Sequence, residues 1–500
     1  MIQNVFCIFV PTFDTLLSMK YKASVLLVTL FSLLIGFSAC TEDLINVDTN
    51  FNLTFSVDTL RFDTIFTDMG SATQKLKIYN HSNQKAHIEQ IRLMNAKEFH
   101  INVSGLQADD LSDVYLNAHD SMLIFVQVKI DPTLTDAPMV VRDSILFSLN
   151  QHQQFVQLEA FGQDAIRLSG YVVDEDRTFT AQKPYLISDT LWVEKDATLT
   201  LQPGARLFFR KNAVLYVKGT LQSVGKQEQW VQLRGDRSDF MNTIPPLSYD
   251  LCSGQWGGIV LASGSHNNVL EFTDVRNGNF GVRIDSTTTA QPALVVKNAM
   301  LRNVTGNLLE ATNADVQVYN SLLYNAGGYV VSLCGGNYVW KHCTLANYYQ
   351  FSWGGRGKAI MLYSNQRALA DGSTVVLPFS SLMYNSVVYG NYTNEVQTNF
   401  DETQADQAAY LFHHCLLKQK VKEPTNPPYN QCVFNEKPLF KYEAWVEDQP
   451  HVYDFHVNSG SAVIGIGDSA MVTEELVFDL DGNNRLSDGL CDAGCYEYVE

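Results

Sequence analysis

The chain has 500 residues, 46% of them hydrophobic and 18% charged, with 28 Phe, 23 Tyr and a formal net charge of −18. That length suggests more than one domain, and the apolar content is that of a folded chain rather than a disordered one. The acidic balance excludes a nucleic-acid binder, which needs a basic surface to neutralise phosphates.

The N-terminus reads as an export signal, residues 1–39. Met19-Lys20-Tyr21-Lys22 is a short basic start, Ala23 to Ile35 an apolar run, and Gly36-Phe37-Ser38-Ala39-Cys40 a small-residue close. The run is too short for a spanning helix. Residues 1–18 then read as an upstream extension, with translation starting at Met19. Lys20, Lys22 and Asp14 give this segment a net +1, which leaves −19 on the remainder. Small residues ahead of a Cys resemble a bacterial lipobox, and by that resemblance Cys40 is the lipidated first residue of the mature protein. Thr41-Glu42-Asp43 follow at once, an acidic cluster similar to the surface-export signal of Bacteroidetes lipoproteins. The implied location is the outer membrane, lipid-anchored and exposed at the cell surface.

Residues 40–53 read as a polar tether. Residues 54–164 carry short alternating strands, among them Lys75-Leu76-Lys77-Ile78-Tyr79, Met122 to Val128, Ser144 to Leu149 and Phe155 to Ala160. Polar turns separate them, such as Asn80-His81-Ser82-Asn83 and Asn150-Gln151-His152-Gln153. This spacing predicts an immunoglobulin-like β-sandwich. The segment has no Cys, so an antibody-style bridge is excluded. Phe62-Asp63-Thr64, Asp120-Ser121 and Ala160-Phe161-Gly162-Gln163-Asp164 resemble the N-terminal sandwich of Bacteroidetes surface lipoproteins.

From residue 165 the pattern changes. Leu191 to Ala205 alternates apolar and polar residues and turns at Pro203-Gly204; Ala213 to Leu221 does so again around Gly219. A repeat follows. Asn298, Asn320 and His342 stand 22 residues apart, each followed one place on by a small residue (Ala299, Ser321, Cys343) and three places on by Leu301, Leu323 and Leu345. Looser copies centre on Asn385 and His414. A period of 22 suits one turn of a β-helix and is too short for a helix-hairpin repeat. Asn tolerates left-handed dihedrals, and its amide can bond to the Asn one turn away. We therefore read Asn298, Asn320, His342, Asn385 and His414 as a structural corner ladder, not as catalytic residues. With Gln255-Trp256-Gly257-Gly258-Ile259, these phrases resemble right-handed parallel β-helix proteins of the pectin-lyase-like type, over 165–500. The predicted fold is all-β: a sandwich followed by a right-handed parallel β-helix, or solenoid. Phe478 to Arg485 and Asp492 to Glu497 resemble the terminal signature of the same lipoprotein group, and read as a cap over the last open coil.

Past residue 40, seven cysteines remain: 252, 334, 343, 415, 432, 491 and 495. The odd number leaves at least one unpaired; Cys334 with Cys343 and Cys491 with Cys495 are possible pairs, and connectivity stays open. With no CxxC and no zinc-finger spacing of Cys and His, no metal and no cofactor is expected. Asp479-x-Asp481-x-Asn483 lacks the Gly and the acid that a calcium loop needs at positions six and twelve, and reads as a turn.

Three kinds of activity are considered. A hydrolase of this fold needs two carboxylates across a cleft. The Asn-Thr-Asp and Gly-His-Gly signatures of pectin hydrolases are absent, and Asp109-Asp110 lies in the sandwich. Asp274, Asp285, Arg283 and Lys297 are the charged residues that could be grouped for a lyase, and solvated strand positions explain them better. Binding is favoured instead. Tyr348, Tyr349, Phe351 and Trp353 form an aromatic-rich loop suited to sugar faces. If Ser321 and Leu323 face inward, alternation turns Leu322 and Tyr324 outward, with Val387 and Tyr389 two copies on. That stripe is either an exposed contact surface or core beneath an insertion, 348–379 or 423–437. The expected protein is a non-enzymatic surface lipoprotein that binds glycan or another envelope protein, with a polysaccharide lyase or glycoside hydrolase as the alternative.

Overall fold

The computed structural model describes residues 44–132, 138–241, 247–287, 291–350, 357–420, 428–443 and 453–499. The export segment, Cys40, Phe351 and Trp353 lie outside the described residues. The protein is all-β, its described helical segments being the short turns Tyr249–Leu251, Glu402–Gln407, Ser469–Met471 and Glu474–Leu476. It divides into two compact units: residues up to 60, 73–127 and 143–158 in one, and 61–72, 128–142 and 159–500 in the other.

The first unit contains most of one five-stranded sheet and part of a second. One is ordered Thr54–Phe55, Gln74–Tyr79, Ser121–Val128, Phe99–Val103, Leu106–Gln107. The second includes Met139–Leu149, Ala86–Leu93 and Asp110–Leu116 in that order. Pairing is antiparallel, as in Leu76 opposite Ile124 and Ile91 opposite Phe147. Alternate residues point to one side, as strand geometry requires. That side is apolar: Leu76, Ile78, Ile88, Ile91, Phe99, Ile124, Val126 and Phe147 are all buried. Phe55 and Phe147, one from each sheet, meet with ring centroids 4.9 Å apart.

The second unit contains two large sheets of parallel strands, eleven and seventeen strong. Each strand pairs with the next copy of itself. Leu301 is in register with Leu323, Leu323 with Leu345, Leu345 with Val388 and Val388 with Leu417. The period of 22 is therefore the step from one rung to the next, lengthened where the chain makes excursions. Inward columns of Val, Leu and Ile fill one continuous core. Cys343 and Cys415 occupy its small column as buried free thiols, and all seven described cysteines are unpaired.

The corner column shows why Asn and His stand there. Asn298, Asn320, His342, Asn385 and His414 have φ of 49°, 45°, 52°, 47° and 52°. These are left-handed values that a short polar side chain tolerates. Asn320 Nδ2 donates to Asn298 Oδ1 at 2.7 Å, and Asn385 Nδ2 meets His342 Nε2 at 3.2 Å. Burial pushes the His342 imidazole well below its usual pKa, so this rung is uncharged.

The outward stripe corrects one expectation. Leu322, Tyr324, Val387 and Tyr389 do point out of the inner core, as alternation requires, but they are not exposed. Their relative exposures are 3%, 5%, 1% and 9%. Among the described residues, although Tyr348 and Val433 join the cluster, the cover is not chiefly either insertion named above. It comes from the C-terminal segment, which lays Phe440, Phe455, Val463, Leu480, Ala493, Cys495 and Tyr496 over the stripe. This segment docks along the flank of the sheet. Asn320 Nδ2 donates to the Phe478 carbonyl at 3.2 Å, Cys495 N to Thr344 Oγ1 at 3.0 Å, and Gly494 N to the Asn385 carbonyl at 2.8 Å. Those contacts fall on middle rungs, not on the last strand. An apolar ladder left in water is the stronger demand, and the segment answers it.

Candidate functional site

Where the C-terminal cover meets the later rungs, a groove of about 450 Å³ opens. Tyr348 and Tyr389 line it from the parallel strands and the loop after them, and Lys437, Lys441, Tyr442 and Glu443 line it from the cover. Tyr348 follows the strand Thr344–Asn347 and is held by its backbone N–H, which donates to Asn325 Oδ1 at 3.0 Å. Its hydroxyl donates to Glu443 Oε2 at 3.0 Å. Burial, then the neighbouring Glu443 charge, pushes the Tyr348 phenol far above its usual range, so it stays protonated. Lys418 Nζ sits 5.0 Å from the centre of the Tyr389 ring and donates to the Gly390 carbonyl. Tyr442 is 37% exposed and stands at the rim.

Glu395 lies below this surface, fully buried. Its oxygens accept from Tyr392 N at 2.6 Å and Ile360 N at 3.0 Å. Burial raises its pKa to about 7 against the opposing pull of those bonds and Lys418. Both oxygens are occupied by backbone, so Glu395 holds the loop that carries Tyr392 and does not reach the groove wall.

The four aromatics predicted as one loop therefore separate. Tyr348 faces the groove. Tyr349 is buried on the other side, its hydroxyl 2.6 Å from Ser253 Oγ. Phe351 and Trp353 lie outside the described residues. Of the stripe, Tyr389 reaches the groove, whereas Leu322, Tyr324 and Val387 lie under the cover. Lys418 lies in the last, looser copy of the repeat, whereas Lys437, Lys441 and Tyr442 were not foreseen. They belong to no repeat, and only the packing of the cover brings them to Tyr389.

A second polar cluster occupies the earlier rungs of the eleven-stranded sheet. Arg276 Nε bonds Asp250 Oδ1 at 2.7 Å, and its Nη1 bonds Asp274 Oδ2. Arg302 grips Asp274 with two nitrogens, at 3.1 and 2.8 Å, and Arg234 Nη1 reaches Asp250 at 2.9 Å. Burial alone would raise both carboxyl pKa values, but the arginines outweigh it and hold them below the usual carboxylate range. Burial and the neighbouring Arg276 together lower Arg234 to about 10. Asp274, Asp285, Arg283 and Lys297 do not come together, but the solvated strand position expected for Asp274 is not found, because it is buried between Arg276 and Arg302. Arg283 lies 3.7 Å from Glu310, Lys297 lies between Glu271 and Glu475, and Asp285 is exposed.

These arrangements limit the chemistry. A glycosidase needs one carboxyl that holds a proton at working pH beside one that does not. Asp250 and Asp274 are both ionised and both consumed by arginines. Among the described residues lining the groove, Glu443 is the one carboxylate, and it is bonded to Tyr348. Asp479 is likewise occupied: Oδ1 accepts from Asp481 N and Asn483 N at 3.0 and 2.7 Å, and Oδ2 from Glu497 N at 2.8 Å. What the groove offers is aromatic edge and cationic charge.

No family model matches the chain, and no curated protein matches it. Solved structures give faint likenesses. A family 123 glycoside hydrolase from Clostridium perfringens aligns at 8% identity and TM-score 0.16, over 23% of this chain and 26% of that one, so the chain spans about a quarter of that enzyme. A PapD-like domain of human CEP192 aligns at 10% identity and TM-score 0.17, over 24% of this chain and 87% of that one. The catalytic domain of a GH87 α-1,3-glucanase aligns at 8% identity and TM-score 0.20, over 72% and 86%. Scores this low carry no argument about fold or activity, and the reading below rests on the groove.

Proposed function

We propose that this is a non-enzymatic surface lipoprotein, anchored through Cys40 in the outer membrane, that binds a glycan in the groove between Tyr389 and Tyr442. In this reading the antiparallel sheets are an immunoglobulin-like sandwich, and the parallel sheets are walls of a right-handed parallel β-helix. The 22-residue register and the left-handed corners support the β-helix. The anchor rests on Ala39-Cys40 and the apolar run before it.

The observation that carries the binding function is the groove's lining. Tyrosine rings stack on the apolar faces of sugars and bring a polar hydroxyl with them. Among the lining residues Lys418, Lys437 and Lys441 stand beside one carboxylate, Glu443, with Lys441 also 4.0 Å from Asp454 Oδ2, on a chain whose net charge is −18. A cationic groove on an acidic protein favours a sugar that carries carboxylate or sulfate. The decisive experiment is a glycan array with product analysis on the soluble protein. Binding of acidic glycans without cleavage is expected, and Lys437→Glu with Lys441→Glu should abolish it while the melting temperature holds. Cleaved products, or binding unchanged in the double variant, would overturn the reading.

A further inference from the structure

His413 ends the strand Ala408–His413, and His414 turns its corner. The register pins His413 between Tyr384 and Asn430. In an unbroken strand neighbouring side chains point to opposite faces. The left-handed φ of 52° at His414 cancels that alternation, and the two imidazole centroids lie 4.5 Å apart.

Asp468 arrives from the C-terminal cover. The corner rung Asn385 clamps its backbone: Asn385 Oδ1 accepts from Asp468 N at 2.8 Å, and Asn385 Nδ2 donates to the Asp468 carbonyl at 3.0 Å. Asp468 Oδ1 accepts from Ala470 N at 2.9 Å, and Oδ2 is left facing His413 Nε2 at 3.0 Å. One ring nitrogen of each histidine and one carboxylate oxygen of Asp468 all lie within 4.8 Å of one another, and all three residues are half-buried. Outer partners set the rings. Asn430 Nδ2 meets His413 Nδ1 at 2.8 Å, the Ile466 carbonyl lies 2.6 Å from His414 Nδ1, and His414 Nε2 meets Gln431 Oε1, a contact that an ion at Nε2 displaces. A carbonyl that accepts from the far ring N–H, as that of Ile466 does, orients the imidazoles of metal ligands, and the Asn430 amide serves His413 in the same way with its oxygen turned to Nδ1.

We propose that His413, His414 and Asp468 bind one divalent cation of the zinc class. Two imidazoles and a carboxylate are a donor set of three-ligand zinc sites, whose fourth position stays open. Magnesium and calcium prefer all-oxygen ligands and fit this set poorly. Bonds of about 2.0–2.2 Å bring ligand atoms within roughly 3.5 Å of each other, so the three groups close by about an ångström. The ion takes the place of the proton between His413 Nε2 and Asp468 Oδ2; that proton moves to Nδ1, so that the ring ligates as a neutral imidazole, and the Asn430 amide turns its oxygen to accept it. Its structural effect is to tie a corner of the stacked strands to the segment that covers them.

The sequence gives this set no recognisable spacing, because Asp468 follows His414 only after a segment with no repeat. The test is calorimetric titration of the untagged, chelator-stripped protein with Zn²⁺, and with Mg²⁺ as the contrast. One zinc per chain and a raised melting temperature are expected, with no response to magnesium. Asp468→Asn keeps an acceptor for Ala470 N and removes the carboxylate charge. His414→Asn places at this corner the residue used at 298, 320 and 385, and removes the imidazole. Each variant should weaken zinc binding roughly tenfold or more, with the metal-free melting curve little changed. Affinity retained in either variant overturns the three-ligand set, and failure of the wild-type chain to saturate at micromolar zinc overturns the site.

Discussion

One face of the eleven-stranded sheet carries charge on its earlier rungs and hydrocarbon on its later ones. Arg276, Arg302, Tyr324, Ala346 and Tyr389 are successive members of a single column. On the early side the arginines find Asp250 and Asp274, one from the nearby turn and one from the sheet itself. On the late side Leu322, Val387 and Leu416 have no such partners and are buried only because the C-terminal segment returns to them. The two halves solve one problem, an outward face at low exposure, by different physics. The charged half is satisfied by ion pairs formed close to the rungs themselves. The apolar half depends on a later segment of the chain, which begins more than a hundred positions beyond Leu322. Tyr324 joins them, its hydroxyl 3.5 Å from Arg302 Nη1 and its ring 4.9 Å from Phe455.

The largest break should come from exchanging the two solutions. Val387→Asp puts a carboxylate with no cation into the apolar half, and we expect a loss of about 4–5 kcal/mol or outright unfolding, read by calorimetry or denaturant melts. Asp274→Ala strips the charged half of its central anion and leaves Arg276 and Arg302 buried without it. A loss of about 3–5 kcal/mol is expected. Replacing Asp274, Arg276 and Arg302 together by apolar residues of similar volume should cost far less than Asp274→Ala alone, because no ion is left stranded. If the triple variant were the less stable of the two, the ladder would be a net source of stability and the comparison would need redrawing.

Smaller effects sharpen the contrast. Asn320→Leu removes a rung that bonds both Asn298 and the cover, and it strains a left-handed corner. It should cost roughly 1–3 kcal/mol. The pH profile separates the halves with opposite signs. Asp250 and Asp274 have folded pKa values below those of the unfolded chain. Their contribution is present above about pH 4 and is lost as pH falls further. Burial raises Glu395 and Glu497 to about 7. Their folded states hold a proton that the unfolded chain gives up near pH 4.3, so stability from these two falls as pH rises from about 4.3 to 7. Asp274→Ala should flatten the acid limb of a melting-temperature profile, and Glu395→Gln the limb between pH 5 and about 7.

What the sequence made legible follows the same division. The corner ladder and the facing of each rung were readable because they repeat every 22 residues, and a repeat exposes both bends and alternation. Leu322 and Tyr324 were turned to the correct face on that basis. Their cover was not readable. Phe440, Phe455 and Tyr496 share no period with the rungs, and nothing local marks them as partners of Val387. The arginine cluster was missed for a related reason: Arg234, Asp250 and Asp274 precede the clear repeat, and the turn that supplies Asp250 has no pattern. The groove inherits both difficulties, since Tyr389 belongs to a repeat and Lys441 does not.

The return of the C-terminal segment also sets an order of events. Strands of a stacked sheet can assemble as soon as each copy follows the last, whereas Arg485 must come back to Asn320 across 165 residues. A chain made or exported from its N-terminus therefore has a period in which Leu322, Val387 and Leu416 are in place but bare. An uncovered apolar face beside unpaired strands is a template for self-association. Any factor that holds this protein before it matures should be needed most in that interval, and a chain cut short before Phe440 should be held indefinitely.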